Sequence, residues 1–362
     1  MRRLAIGVAF VVVTSVLGGC APSTGGGSCA WAYQPDPTAT PAFPDTSATY
    51  YQLPYALGPG QSIVLDGTVP NVRYFSFTTY GTDGAVIDGL ADPEFPTDAG
   101  RYALRVAATP DGSADSAVLS AGAGPIAAGI LVMRVYLPVG GPPTLPDVAL
   151  RQADGSTTVI PRCAPNSGAG TAALTEAAIA LSAPVPAPPS PTFTRQSGAG
   201  LFPNPDNAYL AALTSWQPGR VIVVTGRAPT FPDTSAGSPR TAPADVRYWS
   251  MCTNTDVIPF PVVACAADQD TVLDANGRYT YVVSTPQDRP PSTAANGVTW
   301  LPWGPTTTTG VLIYRNMLPS PSFTASVQQV PIGATPLSAM GDYAPHAKYC
   351  TTTSFAANGS AC

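Results

Sequence analysis

The sequence predicts an all-β protein built from two tandem, internally repeated domains. Three observations support this fold class: short runs of branched and aromatic residues, many turn-forming residues between them, and an internal repeat. The chain of 362 residues contains 42 Pro and 34 Gly, a composition that argues against coiled coils and helix bundles. Because 44% of its residues are hydrophobic, the chain has enough apolar side chains to build folded cores.

Runs with the composition of β-strands recur along the chain, and Gly or Pro brackets nearly all of them. The clearest runs are 73–80, 129–137, 220–225, 278–283 and 311–315. In the second of these, alternation places Leu131, Met133 and Val135 on one face of the strand. Arg134 is therefore expected on the opposite face.

Signals for helices are few. Asn204 and Pro205 precede the run 209–213 and predict one short capped helix there. Residues 171–181 predict a second helix, which meets the Pro-rich segment 184–191. That segment has the composition of a stiff connector and marks the boundary between two domains.

Four segments of the first half recur in the second half in the same order. They are 60–67 at 219–226, 73–76 at 247–250, 98–102 at 275–279, and 131–138 at 312–319. Ordered matches of this kind predict two copies of one β-domain. A further likeness, between 43–47 and 231–235, breaks the order and is interpreted as a local turn motif.

The sequence predicts five segments along the chain. They are a lipoprotein signal peptide (1–19), a flexible tether (20–28), a first β-sandwich domain (29–163), a Pro/Ala-rich linker (164–198), and a second β-sandwich domain with a disulfide-stapled C-terminal tail (199–362).

The N-terminus has the pattern of an export signal. Two arginines precede the apolar run 4–17, which is too short to span a bilayer as a mature helix. Gly18 and Gly19 ahead of Cys20 resemble the bacterial lipobox. The resemblance implies a thioether-linked lipid on Cys20, cleavage before it and acylation of the new amine, so that acyl chains attach the protein to the membrane. Ordinary secretion with an accidental cysteine is the alternative.

Six cysteines remain besides Cys20, and an even number outside the cytoplasm favours disulfides. Their proximity and position favour one set of pairs among several: Cys29–Cys163, Cys252–Cys265 and Cys350–Cys362. A zinc site is the alternative. The chain has no Cys-x-x-Cys pair and a single His, which disfavours zinc.

Several segments of the second half carry a resemblance to known sequences: 202–210, 247–252, 283–290, 300–304, 315–319 and 340–343. Over residues 200–345 the chain is similar to a group of exported actinobacterial lipoproteins and secreted proteins of unknown function. The resemblance implies a β-sandwich or jelly-roll domain and implies no activity. The first half matches this group only through the internal repeat.

Charge and composition exclude several classes of function. The formal net charge of −5 argues against a nucleic-acid partner, because a phosphate-binding surface needs clustered Lys and Arg. The only His, His346, removes most His-based metal and nucleophile chemistry. Paired carboxylates for glycoside hydrolysis stay open among 22 acidic residues, but no pattern marks two of them.

Four aromatic residues are candidates for a platform that stacks on a sugar ring: Trp300, Trp303, Tyr248 and Trp249. The alternative is that these side chains lie in the sandwich core, where aromatic residues usually bury their surface. Pro302 between the two tryptophans predicts a loop or a strand edge, which leaves binding open.

The acidic residues Asp268, Asp270 and Asp274 are weak candidates for calcium ligands. A hairpin turn that ends in Asn276-Gly277 is the favoured alternative. No other cofactor is predicted.

The recurring pairs Arg134/Arg315 and Arg101/Arg278 could clamp an anionic ligand. A structural role, on Tyr or Asp inside the fold, is favoured for them.

These observations predict a lipid-anchored protein on the outer face of the cytoplasmic membrane or within the cell wall. Its predicted function is that of a non-catalytic binding or scaffolding module, with a cell-wall glycan or an envelope protein as partner. The alternative is an extracellular carbohydrate-active hydrolase that uses paired carboxylates.

Overall fold

A computed structural model shows that the protein folds mainly into β-sheet. The structure describes residues 29–33, 36, 39–40, 42–108, 117–164, 189–198, 202–257, 260–291, 297–304 and 309–362. The signal peptide, Cys20 and the tether lie outside the described residues. So do the predicted helix 171–181 and most of the linker.

The N-terminal half, residues 29–164, forms two sheets. Its strands are β1 (Ala48–Leu57), β2 (Ser62–Thr68), β3 (Val72–Tyr80), β4 (Val86–Ala91), β5 (Arg101–Ala107), β6 (Ala117–Ser120), β7 (Ala127–Pro138), β8 (Asp147–Arg151) and β9 (Thr157–Val159). The sheet that faces the other half, called the inner sheet, has the order β1-β7-β3-β4. The sheet on the far side, called the outer sheet, has the order β6-β5-β2-β8-β9.

The C-terminal half, residues 189–362, also forms two sheets. Its strands are β10 (Thr194–Gln196), β11 (Asn207–Ser215), β12 (Arg220–Arg227), β13 (Val246–Thr255), β14 (Val262–Ala267), β15 (Arg278–Ser284), β16 (Thr299–Pro302), β17 (Thr309–Pro319) and β18 (His346–Thr351). The inner sheet has the order β10-β11-β17-β13-β14 and the outer sheet the order β16-β15-β12-β18. The helices α1 (Leu337–Met340) and α2 (Thr352–Asn358) are short.

The two halves have the same strand order apart from the edge strands β9 and β10. In each half one pair of strands is parallel, β5 with β6 and β15 with β16. A single turn of 3-10 helix follows the corresponding strands β4 and β14, at Asp92–Glu94 and at Asp268–Asp270. The shared topology agrees with the predicted repeat, and the origin of the halves by duplication stays a prediction.

Each half packs its two sheets around its own apolar core. The N-terminal core combines side chains of both sheets, among them Leu53, Phe77, Leu131, Ile63 and Leu104. The C-terminal core does the same with Trp249, Met251, Leu312, Val224 and Tyr281. Both halves are therefore β-sandwiches, as predicted.

Alternation along β7 decides which residues face the core. Leu131, Met133 and Val135 are core residues, as the sequence predicts. Arg134 and Val132 point the other way, away from the N-terminal core. That face meets the C-terminal half.

The two inner sheets pack against each other. All nine residues of β3 are buried, which requires neighbours on both faces of the strand. Tyr74 and Tyr136 of the N-terminal half form a cluster with Tyr248 and Met317 of the C-terminal half. The four sheets thus lie in the order outer, inner, inner, outer.

The three predicted disulfides are confirmed. Cys29–Cys163 joins the two ends of the N-terminal half. Cys252–Cys265 links directly paired positions of β13 and β14. Cys350–Cys362 fastens the tail, so that Phe355 of α2 covers the outer sheet.

The helix predicted at 209–213 is wrong, because these residues belong to β11. Asn204 forms a turn rather than a helix cap: its Oδ1 accepts the backbone N–H of Asp206 at 3.1 Å. Leu210 and Ala212 then alternate into the core while Tyr209 points the other way. The sequence signals for a cap and for an Asx turn are the same, since both use an Asn oxygen to accept a nearby N–H.

In the structure, the segment 43–47 of the first half corresponds to the segment 202–206 of the second half. In each, a backbone N–H donates to a tyrosine hydroxyl, Asp45 to Tyr50 at 2.9 Å and Asn204 to Tyr209 at 3.1 Å. We call these two segments the Phe-Pro-Asx turns. The segment 231–235 is also an Asx turn, closed by Asp233 Oδ1, as the local motif predicts.

The second half begins before the predicted boundary at residue 199. Phe193 is part of its core, and β10 pairs with β11. Within the residues that the structure describes, no helix has the length and apolarity to cross a bilayer.

Candidate functional site

Reciprocal ion pairs join the two halves. Arg73 of β3 donates from Nη1 to both carboxylate oxygens of Asp268, at 3.0 Å each. Arg247, at the corresponding place on β13, donates from Nη1 to both oxygens of Asp92, at 3.0 and 2.9 Å. Each acid belongs to the 3-10 turn of the opposite half. This exchange is the pattern of an interface between parts related by a two-fold axis.

Both acids of these pairs are buried, with 0% of the Asp268 side chain and 1% of the Asp92 side chain exposed. Burial raises the pKa of Asp268 to about 7, while the Arg73 guanidinium and two backbone N–H groups lower it. Burial also raises the pKa of Asp92, and Arg247 opposes that change. Each guanidinium therefore offsets part of the desolvation of its partner, and the pairs fix how the halves meet.

Tyrosine hydroxyls make a second set of reciprocal contacts. Tyr248 donates to Asp45 Oδ2 at 2.9 Å. Tyr74, its counterpart, lies 3.2 Å from Asn204 and donates to Asp206 Oδ2 at 2.5 Å. The two Phe-Pro-Asx turns are thus each anchored to the opposite half.

A cavity of about 580 Å³ lies between the halves, within the size range of small-molecule sites. Its walls are the faces of β1 and β7 and of β11 and β17 that point away from the cores, together with the Phe-Pro-Asx turns. Many lining residues occupy corresponding positions in the two halves: Tyr50 and Tyr209, Arg134 and Arg315, Val132 and Ile313, Phe43 and Phe202. We call it the central cavity.

Two residues that line the central cavity have a strained backbone. Phe43 and Phe202 have positive φ values of 55° and 51°, which a residue with a Cβ rarely adopts. Phe43 stacks on Phe260 with ring centroids 4.7 Å apart. Strained residues persist only where their surroundings hold them, and they cluster at binding sites.

The two cavity arginines each hold a turn of the opposite half. Arg134 Nη2 donates to the carbonyl of Phe202 at 2.8 Å, and Arg315 Nη2 donates to that of Phe43 at 2.7 Å. Arg134 is 3% exposed and Arg315 is 2% exposed. Two buried positive charges therefore line the central cavity.

Asp256 is the one carboxyl group among the described lining residues. Burial raises its pKa. A glycoside hydrolase needs two facing carboxyl groups, and the described lining of the central cavity supplies a single one.

The predicted aromatic platform is not assembled. Tyr248 and Trp249 are completely buried, and Trp303 is 6% exposed. Trp300 is half-buried, with Arg289 over its ring at 4.3 Å and its Nε1 donating to Ser284. Trp249 and Trp303 lie in the C-terminal core and Tyr248 lies in the cluster between the halves, so the four rings do not form a shared surface for a sugar.

The calcium candidates are held by other contacts. Asp268 is the buried partner of Arg73. Asp274 Oδ1 accepts the backbone N–H groups of Asn276 and Arg278, at 2.8 and 2.9 Å, while Gly277 has a φ of 70° that suits it to this turn. Asp270 belongs to the 3-10 turn and does not join a three-donor cluster with the others among the described residues. The hairpin interpretation therefore accounts for Asp274, whereas Asp268 is held by its ion pair with Arg73.

The repeated Arg-Tyr pairs serve the fold. Arg101 pairs with Asp66 at the surface. Tyr102 lies in the N-terminal core above Gly67, where a Cβ would come within 2.7 Å of its ring. Tyr279 covers Gly226 in the same way.

The cavity residues that sequence reasoning missed include Tyr50, Tyr209 and Gln52. Their signal was the likeness of the two Phe-Pro-Asx turns, each followed by a Tyr. That signal was hidden because 43–47 also resembles 231–235.

Neither the family models nor the curated proteins include a match to this chain. Among solved structures, the chain is similar to an uncharacterised protein from Burkholderia cenocepacia, with a TM-score of 0.58 and 13% identity over 91% of this chain and 83% of that one. A protein from Vibrio parahaemolyticus aligns with a TM-score of 0.45 and 12% identity over 88% of this chain and 91% of that one. The first likeness spans both halves and shows an all-β fold shared at low identity.

Proposed function

We propose that this chain is an exported, lipid-anchored binding protein of the cell envelope whose small-molecule ligand occupies the central cavity. The observation that carries the proposal is the cavity itself, which has about 580 Å³ of space between two halves held by buried ion pairs. Pre-formed concave sites with mostly apolar walls and a few placed polar groups are typical of small-molecule binding.

Location outside the cytoplasm is supported by the three disulfides, which form and persist in oxidising compartments. The apolar N-terminal run supports export, and Cys20 supports attachment to the membrane through a lipid. Acyl chains on Cys20 would hold the protein at the membrane.

The carboxyl count of the cavity disfavours the hydrolase alternative, as described above. The burial of Tyr248, Trp249 and Trp303 disfavours a glycan that stacks on an aromatic surface. Binding without catalysis is therefore the function that the geometry supports best.

Filling the central cavity should abolish binding of an apolar probe. The test uses the chain from residue 21, which omits the lipidated Cys20 and contains every described strand and all three disulfides. We expect N-phenyl-1-naphthylamine, an uncharged dye that fluoresces in apolar surroundings, to bind saturably. Ala211 lines the cavity, so Ala211→Trp should weaken binding by about tenfold or more, which corresponds to about 1.4 kcal/mol.

Thr158→Trp on the exposed strand β9 is the matched control and should bind like the wild type. The proposal fails if the dye does not saturate, or if Ala211→Trp binds as well as Thr158→Trp.

The anchor is tested by labelling cells with an alkyne analogue of palmitate. We expect the label on the wild-type chain and none on Cys20→Ser, because the thiol that carries the lipid is gone. Ser23→Ala in the tether is the control and should keep the label. A label that persists on Cys20→Ser would overturn the predicted site.

A further inference from the structure

The two cavity arginines occupy corresponding positions and yet have different electrostatic partners. Arg134 pairs with Tyr50 across β7 and β1, and Arg315 pairs with Tyr209 across β17 and β11. In the Phe-Pro-Asx turns, Asp45 of one half corresponds to Asn204 of the other. The chain therefore contains its own comparison: Arg315 has Asp45 within ion-pair distance, whereas Arg134 has no described carboxylate at that distance and interacts with Asp206 only at longer range.

Arg315 has both hydrogen-bond acceptors and a carboxylate near it within the protein. Its Nη1 lies 2.8 Å from Cys252 Sγ and 3.8 Å from Asp45 Oδ2. Its Nη2 donates to the carbonyl of Phe43. The positive charge of Arg315 thus has a buried counter-charge.

Arg134 has fewer partners. Beyond its bond to the Phe202 carbonyl, Nη1 lies 3.3 Å from Thr78 Oγ1, and the guanidinium lies over the rings of Tyr50 and Tyr80 at 5.8 and 5.3 Å. Among the described residues, no carboxylate lies within ion-pair distance of Arg134. A buried guanidinium without a counter-ion is costly, and a ligand can supply the missing charge.

A second polar group in the cavity lacks a partner. Gln52 is 5% exposed and lines the central cavity, and its Oε1 has no hydrogen-bond partner within the described part of the chain. Buried polar atoms are nearly always bonded in native proteins. A ligand with an O–H or N–H group would satisfy this atom.

Part of the remaining cavity surface suits an apolar ligand body. Val132, Ile313, Leu213 and Val311 line it. Asp256, the one carboxyl group among the described lining residues, is remote from the arginines along the sheet: it follows Thr255, which pairs with Gly310. Gly310 is five residues from Arg315 on the same strand, or about 17 Å. An anionic group is therefore favoured at the arginine end and an apolar group between the ends.

We propose that the central cavity binds a small organic carboxylate, whose carboxylate group pairs with Arg134 and whose apolar part lies along Val132 and Ile313. This inference rests on the proposed function and adds the ligand class. A planar guanidinium matches a carboxylate with two parallel N–H···O bonds. Elsewhere in this molecule Arg73 also holds both carboxylate oxygens of Asp268, there from the single nitrogen Nη1.

The test compares probes of equal chain length and different charge. Decanoate, decan-1-ol and decyltrimethylammonium are titrated against bound N-phenyl-1-naphthylamine on the same chain from residue 21. We expect decanoate to displace the dye at a concentration lower than decan-1-ol by about tenfold or more, and the cation to be weaker than both. The readout is the ratio of the decanoate and decan-1-ol affinities.

Two variants remove the preference by different routes. Arg134→Gln deletes the charge, so the ratio should fall to about one. Asn204→Asp gives Arg134 the internal carboxylate that Asp45 gives Arg315. Ser76, which is opposite Arg134 as Ser250 is opposite Arg315, can donate to this carboxylate as Ser250 donates to Asp45. The ratio should fall here too, although the arginine is present.

Arg151→Gln, an exposed site on the outer sheet, is the control and should keep the wild-type ratio. Thermal unfolding checks that each variant is folded. The inference is overturned if decanoate and decan-1-ol displace the dye equally from the wild type, or if the preference survives in both variants. Failure of the dye itself to bind would instead count against the proposed function.

Discussion

Replacing Arg73 with Met is expected to lower the free energy of unfolding by about 3–5 kcal/mol at pH 8, as expected when one partner of a buried ion pair is removed. The Arg73 side chain has no exposed surface. Its other nitrogens donate to Thr234 Oγ1 and Gln269 Oε1, at 3.1 and 3.0 Å. Met fills a similar volume but supplies none of these donors, so Asp268 loses its counter-charge. Urea unfolding followed by tryptophan fluorescence measures the loss.

The same substitution should make stability depend more strongly on pH. Burial raises the pKa of Asp268 to about 7 even with Arg73 present, and Arg73→Met removes the group that lowers it. When the pKa of a carboxyl group is higher in the folded state than in the unfolded state, the protein loses stability as the pH rises from the unfolded-state pKa toward the folded-state pKa. Above about pH 7 this loss ends in the wild type and continues in the variant. The difference between them should therefore be larger at pH 8 than at pH 5.

Two further variants test the cause of this loss. Arg101→Met removes an ion pair whose side chains are each 60% exposed, and it should cost at most about 1 kcal/mol. Arg73→Met combined with Asp268→Asn removes the buried charge altogether and should recover much of the stability at pH 8. The explanation is wrong if Arg73→Met costs no more than Arg101→Met, or if its effect is the same at both pH values.

Removing the Cys29–Cys163 disulfide by Cys29→Ala with Cys163→Ala is expected to lower the free energy of unfolding by about 4–5 kcal/mol. The two cysteines are separated by 134 residues, so the bond restricts the unfolded chain over most of the N-terminal half. It also holds the segment of Trp31, whose Nε1 donates to the carbonyl of Pro146 at 2.8 Å. Urea unfolding under non-reducing conditions measures the loss.

The C-terminal disulfide provides the matched comparison. Cys350 and Cys362 are separated by 12 residues, and their double replacement by Ala should cost about 3 kcal/mol. If the short loop costs as much as the long one, restriction of the unfolded chain does not explain the stabilisation.

The fold was largely predictable because its signals are local. Alternation in β7 placed Leu131 and Arg134 on opposite faces, and the structure confirms both. Turn chemistry at Asn276-Gly277 predicted the hairpin correctly. The helix after Asn204 failed because capping and Asx turns share one local hydrogen bond, and only the pairing with β17 decides between them.

The candidate site was much less predictable because it lies between distant parts of the chain. The chemistry of Trp249 and Trp303 suits a binding platform, but packing places both inside the C-terminal sandwich. The recurrence of Arg134 and Arg315 in the sequence favours a structural role for them. What makes them a site is the meeting of two inner sheets, and neither composition nor spacing predicts that meeting.

The joining of both halves in one polypeptide has a consequence for recognition. A pair of identical subunits presents the same residue twice at its symmetry axis, so both ends of a shared chamber must be alike. Here the equivalent positions are encoded separately, and one carries Asp45 where the other carries Asn204. Two halves within one chain can therefore evolve a cavity whose two ends differ, and such a cavity can favour one orientation of an asymmetric ligand.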